Sequence, residues 1–80
     1  MSPNAVLLIE DHPLVSMMLA DMLTEHAPDL NVLKVPSILA SEQHVHENPR
    51  LVIFDLNLPD CEGVESAQRV RHLFPFSQLL

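Results

Sequence analysis

The amino-acid sequence predicts an α/β fold built on an open parallel sheet. Two runs, Ala-Val-Leu-Leu-Ile at residues 5–9 and Leu-Val-Ile-Phe at residues 51–54, are apolar at every position, and each ends in carboxylates. A strand with no polar alternation is buried on both faces, as strands of parallel sheets are. Segments with helical spacing lie between and after these runs, so strand and helix alternate as in βαβ units. Right-handed crossovers follow by default.

The elements follow in chain order. The first strand, residues 5–9, stops abruptly at Glu10-Asp11. Pro13 then occupies a first helical turn, where its missing N–H costs nothing. Leu14, Val15, Met18, Leu19, Met22 and Leu23 recur at alternating intervals of one and three, which places them on one stripe expected to face the core. Ser16, Asp21, Thr24 and Glu25 are expected on the opposite side, and Met17 is expected to be exposed. Pro28 closes the helix. A second strand is predicted over residues 30–35. Ser37 is the N-cap of a weaker helix through about Glu47, ended by Asn48-Pro49. The third strand spans residues 51–55. Beyond a polar turn, Val64, Ala67 and Val70 mark the inner face of a third helix over residues 63–73. Phe74-Pro75-Phe76 breaks it, and residues 77–80 open a fourth strand.

Composition limits what such a chain can do. With 80 residues, 48% apolar and 19% charged, it holds one folded domain. Four Lys and Arg stand against 11 Asp and Glu, a net charge of -7. That balance excludes direct nucleic-acid binding and disfavours anionic membrane surfaces, both of which need a basic face. The single cysteine, Cys61, excludes an internal disulfide and fits a reducing compartment. Residues 5–9 are too short for a signal core or a membrane span, so the expected location is the cytoplasm. His44 and His46 are about 200° apart on a helix, and Cys61 has no basic neighbour in sequence; both read as surface features.

Chemistry is expected where the strands end. Open α/β sheets bind ligands beyond the carboxyl ends of their strands, where strand order reverses. Glu10 and Asp11 follow the first strand and Asp55 closes the third. Any one of them alone would simply solvate a sheet edge. If the two strands are neighbours, all three carboxylates converge, and such like charges need a cation or a proton between them. Oxygen ligands with an incomplete shell suit Mg²⁺. A carboxylate beside that cation can also act as a nucleophile and form an acyl phosphate.

The stretch Asp55-Leu56-Asn57-Leu58-Pro59-Asp60-Cys61-Glu62-Gly63 adds Pro59 and the only glycine of the chain, Gly63, at a loop-to-helix junction. Together with Glu10-Asp11-His12-Pro13, it resembles the receiver domain of two-component response regulators, a flavodoxin-like parallel-sheet fold. The Glu-Asp-His-Pro-Leu and Asn-Leu-Pro segments look most like regulators with a LuxR-type helix-turn-helix output. The resemblance implies that Asp55 is the phosphoacceptor for a sensor histidine kinase. It further implies that Asp11 binds Mg²⁺ directly, that Glu10 acts through a bound water, and that Asn57 supplies a backbone carbonyl to the metal. Receivers catalyse most of their own phosphotransfer at this Mg²⁺ site, so the chain is expected to be a phosphoacceptor rather than an enzyme acting on other substrates.

The family pattern continues past what is visible in residues 1–80, which are expected to form a receiver domain truncated within its fourth strand, lacking its C-terminal strand and helices. Receivers carry a Ser or Thr at the end of strand four and a Lys at the end of strand five. Ser77 stands at the start of its strand and Lys34 in strand two, so neither fills those roles. Phosphorylation is therefore expected to be impaired. Uncovered apolar surface near Phe74, Phe76, Leu79 and Leu80 is expected to promote homo-oligomers. The alternative is a pseudo-receiver that docks or dimerises without phosphorylation. A Mg²⁺-dependent phosphatase would place a second Asp two residues after the nucleophile, where Asn57 stands here.

Overall fold

The two apolar runs become the centre of a four-stranded, all-parallel sheet in the order β2-β1-β3-β6. The structure is a computed structural model and describes residues 2–80. β1 (Ser2–Ile9) leads to α1 (Pro13–His26), and β2 (Asn31–Val35) leads to α2 (Ile38–Ser41), which continues as a 3-10 turn over Glu42–Glu47. β3 (Pro49–Phe54) is followed by a small antiparallel hairpin, β4 (Asn57–Leu58) with β5 (Cys61–Glu62), then by α3 (Val64–Leu73) and β6 (Gln78–Leu79). The expected α/β parallel architecture is thus the observed one. The polar turn after Asp55 has more structure than its sequence announced.

Strand order reverses between β1 and β3. The chain leaves β1 on one side to form β2 and returns on the other to form β3. Being central, β1 is sealed on both faces: none of residues 5–9 is more than 2% exposed. Strand alternation sends Leu7 and Ile9 to one face, where they join Val35, Ile38, Val52, Leu58, Val70 and Phe74 in the main core under α2 and α3. Val6 and Leu8 face the other way, toward α1.

Two helices present different faces from those expected. Ser16 and Ala20 are the buried residues of α1, while Leu19 and Leu23 are half-buried. Leu14, Val15, Met18 and Met22 are exposed, together with Met17. The apolar stripe therefore lies largely in solvent, and the positions that α1 buries where it packs on β1 and β2 carry small side chains. In α3 the core positions are Ser66 and Val70, with Ala67 half-buried and Val64, at the first helical position, exposed. The radius of gyration is 11.6 Å, close to the roughly 12 Å expected of an 80-residue domain, so these exposed side chains belong to a closed fold rather than an expanded one.

The segment joining α3 to β6 is held by polar contacts. Arg71 Nη1 donates to the carbonyls of Phe74, Pro75 and Ser77 at 3.3, 3.1 and 2.9 Å. Ser77 Oγ donates to the Pro49 carbonyl, at the start of β3 and far from Asp55. Phe74 is not a contact surface: it is 1% exposed and belongs to the core, whereas Phe76 is 83% exposed. The clamp turns one aromatic inward and leaves the other in solvent. Measured by urea denaturation at concentrations where the chain is monomeric, Phe74→Ala should lower stability by about 3–5 kcal/mol, and Phe76→Ala should stay within about 0.5 kcal/mol of the parent.

Candidate functional site

The parallel ladders do not end with the strands. Glu10 N–H donates to the Val35 carbonyl at 3.0 Å, and Asp55 N–H to the Ile9 carbonyl at 3.4 Å. Both neighbours of β1 thereby fix the residues just past its end. Ile9 pairs with Phe54, so the acidic pair and Asp55 emerge side by side at the strand-order reversal. Glu10, Asp11, His12 and Asp55 each offer a ligand atom, all lying within 4.8 Å of one another. The three carboxylates expected to converge do so.

His12 joins them. It is the N-cap of α1, and its Nδ1 lies 2.7 Å from Glu10 Oε1 and 3.1 Å from Asp11 Oδ1. Its backbone N–H also donates to Glu10 Oε1, at 3.1 Å. The hydrogen bond to Glu10, then the charge of Asp11, hold the imidazole above its ordinary value of 6.5, with Asp55 adding a smaller push. Its position beside the acid pair was the only trace of this in the sequence.

Asp11 Oδ1 is buried and accepts no hydrogen bond, despite its proximity to His12. A buried carboxylate oxygen without a donor is costly unless a cation faces it, a charge that protonated His12 or a bound metal can supply. The depression beside it, about 240 Å³ and lined by Glu10, Asp11, Ser16 and Lys34 among others, has room for several waters at about 30 Å³ each. Mg²⁺ prefers that environment, with a few carboxylates and retained water. On these grounds the oxygen donors of Glu10, Asp11 and Asp55 could hold a hard divalent cation.

On the other flank, Asn57 N–H donates to Asp55 Oδ1 at 3.0 Å. Asn57 itself is exposed and pairs with Glu62 across the hairpin. Gly63 N–H closes the loop onto the Leu56 carbonyl at 2.6 Å. Gly63 has φ 70° and ψ -149°, a backbone region almost confined to glycine, although a Cβ there would meet nothing within 4 Å. Backbone conformation, not space, demands this glycine. Cys61 is a half-buried free thiol, and His44 pairs with Glu47 rather than with His46.

A parallel α/β sheet with carboxylates gathered at its strand-order reversal is an open-sheet module with an acidic pocket at the carboxyl ends of its strands. The family model for the response regulator receiver domain matches residues 6–78, and the chain belongs to that family. It is 37% identical over 76 residues to the transcriptional activator protein ExaE of Pseudomonas putida, covering 94% of this chain and 36% of that protein. The MaeR response regulator bound to beryllium trifluoride superposes with a TM-score of 0.81 at 18% identity, over 100% of this chain and 65% of that one. A LuxR-family two-component response regulator from Aurantimonas sp. SI85-9A1 gives a TM-score of 0.72 at 25% identity, over 98% and 56%. The chain thus spans about a third of the curated relative and under two thirds of these solved structures. Receiver domains generally bind Mg²⁺ at an acidic pocket, and this chain carries an acidic cluster.

His12 gives a direct check on the electrostatics. In metal-free protein its NMR titration midpoint should lie above 6.5 and move down in Glu10→Gln. Because the folded-state value is raised, the stabilisation it brings is complete below about pH 6.5 and is lost as pH rises through the raised midpoint.

Proposed function

We propose that residues 1–80 form a phosphoacceptor receiver module of a two-component response regulator, taking a phosphoryl group from a sensor histidine kinase onto Asp55. The convergence of Glu10, Asp11 and Asp55 at the strand-order reversal is the observation that carries this reading. Asn57 N–H engages Asp55 Oδ1, so Oδ2 is the nucleophile. It attacks the phosphorus of the phosphohistidine, the P–N bond breaks, and the imidazole leaves with the electron pair and takes up a proton. Asp55 is left as an acyl phosphate. Mg²⁺ held by Glu10, Asp11, Asp55 and the Asn57 carbonyl would neutralise the charge on the phosphoryl oxygens.

Incubation with acetyl phosphate and Mg²⁺, followed by intact mass, tests the proposal. A gain of one phosphoryl group, lost in Asp55→Ala and on adding EDTA, is expected. An unmodified but folded wild-type chain would instead leave a docking module that does not accept phosphate.

The segment's role as part of a cytoplasmic transcription regulator is supported by the likeness to a transcriptional activator. DNA contact would fall to other parts of such a protein, because this segment carries a net charge of -7. Self-association is supported by Phe76 and Leu80, which stand exposed beside the edge strand β6, with Leu79 half-buried there. Sedimentation should show an oligomer that Phe76→Glu shifts to monomer; a monomer at all concentrations refutes it.

A further inference from the structure

The hairpin β4–β5 is anchored at both ends. At its base, Asn57 N–H grips Asp55 Oδ1 and Gly63 N–H grips the Leu56 carbonyl. At its tip, Asp60 reaches a different element altogether. Its Oδ1 accepts from Ile38 N–H at 3.3 Å and its Oδ2 from Leu39 N–H at 2.8 Å. These are the first two amides of α2. The third, Ala40 N–H, is taken by Ser37 Oγ at 3.1 Å. Two side chains from separate parts of the chain therefore share the capping of one short helix.

The residues leading into α2 are tied to the other half of the acidic site. Val35, three residues before Ile38, accepts the Glu10 N–H at 3.0 Å. Ile38 and Leu58 are both buried in the main core, at 0% and 4% exposure. A closed circuit results: Glu10 to Val35, along the chain to Ile38 and Leu39, across to Asp60, and through the hairpin to Asn57 and Asp55. Hydrophobic contact alone leaves a two-residue-per-strand hairpin free to slide. Amide hydrogen bonds accepted by a carboxylate at its tip fix its position and tilt.

We infer that Asp60 is a positioning residue for the phosphoacceptor site, setting the Asn57 amide, and through it the Asp55 carboxylate, by docking the hairpin onto the start of α2. This rests on Asp55 being the acceptor. Asp60 touches neither phosphoryl donor nor metal, so its influence on transfer is through geometry alone. Removing it lets the Asn57 amide wander from Oδ1, and the attacking oxygen loses its fixed direction.

The test compares wild type, Asp60→Ala and Asp60→Asn by amide hydrogen exchange and by the rate of acetyl-phosphate labelling with Mg²⁺. In Asp60→Ala, protection of the Asn57 and Gly63 amides should fall while that of Leu7, Leu8 and Val52 is unchanged. Labelling should be about tenfold slower, in line with the loss from misplacing a reacting group by part of an ångström. Asp60→Asn keeps an acceptor oxygen and should recover part of both effects. Uniform loss of protection across the sheet would make Asp60 a stabilising cap and overturn the inference. Unchanged protection at Asn57 would overturn it as well. If wild type takes no phosphate, the phosphoacceptor reading fails by itself, and the Asn57 amide still decides whether Asp60 positions the hairpin.

Discussion

The parallel pairing of β1 with β3 is the constraint on which the rest of the structure depends. Register sets Ile9 against Phe54, and the next residues on each strand are acids. Two apolar strands sealed from water thus deliver charge to a single point, where it must be met by solvent, a proton or a cation. Neither Glu10-Asp11 nor Asp55 alone would form a site; the register between them does.

Around that point the structure distributes its polar contacts by role. His12 sits on the acid pair, Asn57 on the Asp55 carboxylate, and Asp60 on a helix start well removed from both. At the opposite end of the sheet, Arg71 and Ser77 tie the last strand down without approaching the carboxylates. The molecule gathers its acids at the carboxyl end of its strands and is fastened at the amino end, a division that a parallel sheet makes possible because all its strands point one way.

Much of this was legible in the residues. Apolar runs of four or five residues, too short for a buried helix, announce strands covered on both faces. Asp55, Glu10 and Asp11 stand out because charge follows those runs without transition. Ser37 was legible as a cap because its partner, Ala40, lies three residues away. Asp60 was not, because the amides it caps lie more than 20 residues upstream and no local pattern links them. The hairpin escaped notice because two-residue strands show no alternation. The face of α1 was misjudged for a different reason. Periodicity reports where apolar side chains gather, whereas the positions that α1 buries carry small ones, Ser16 and Ala20. Phe74 and Phe76 are chemically alike, and only the turn around Arg71 decides which is buried.

Because β1 is central, both of its partners are synthesised after it. β2 ends at Val35 and β3 at Phe54, so the most apolar segment of the chain leaves the ribosome with nothing to pair with. At about 5–20 residues per second, several seconds pass before β3 emerges. During that interval β1 is a bare, sticky strand. Its commitment to the correct neighbour is then a race between chain elongation and association with other nascent or chaperone surfaces, and the acids that follow it emerge next, bringing charge that helps to keep it apart from them.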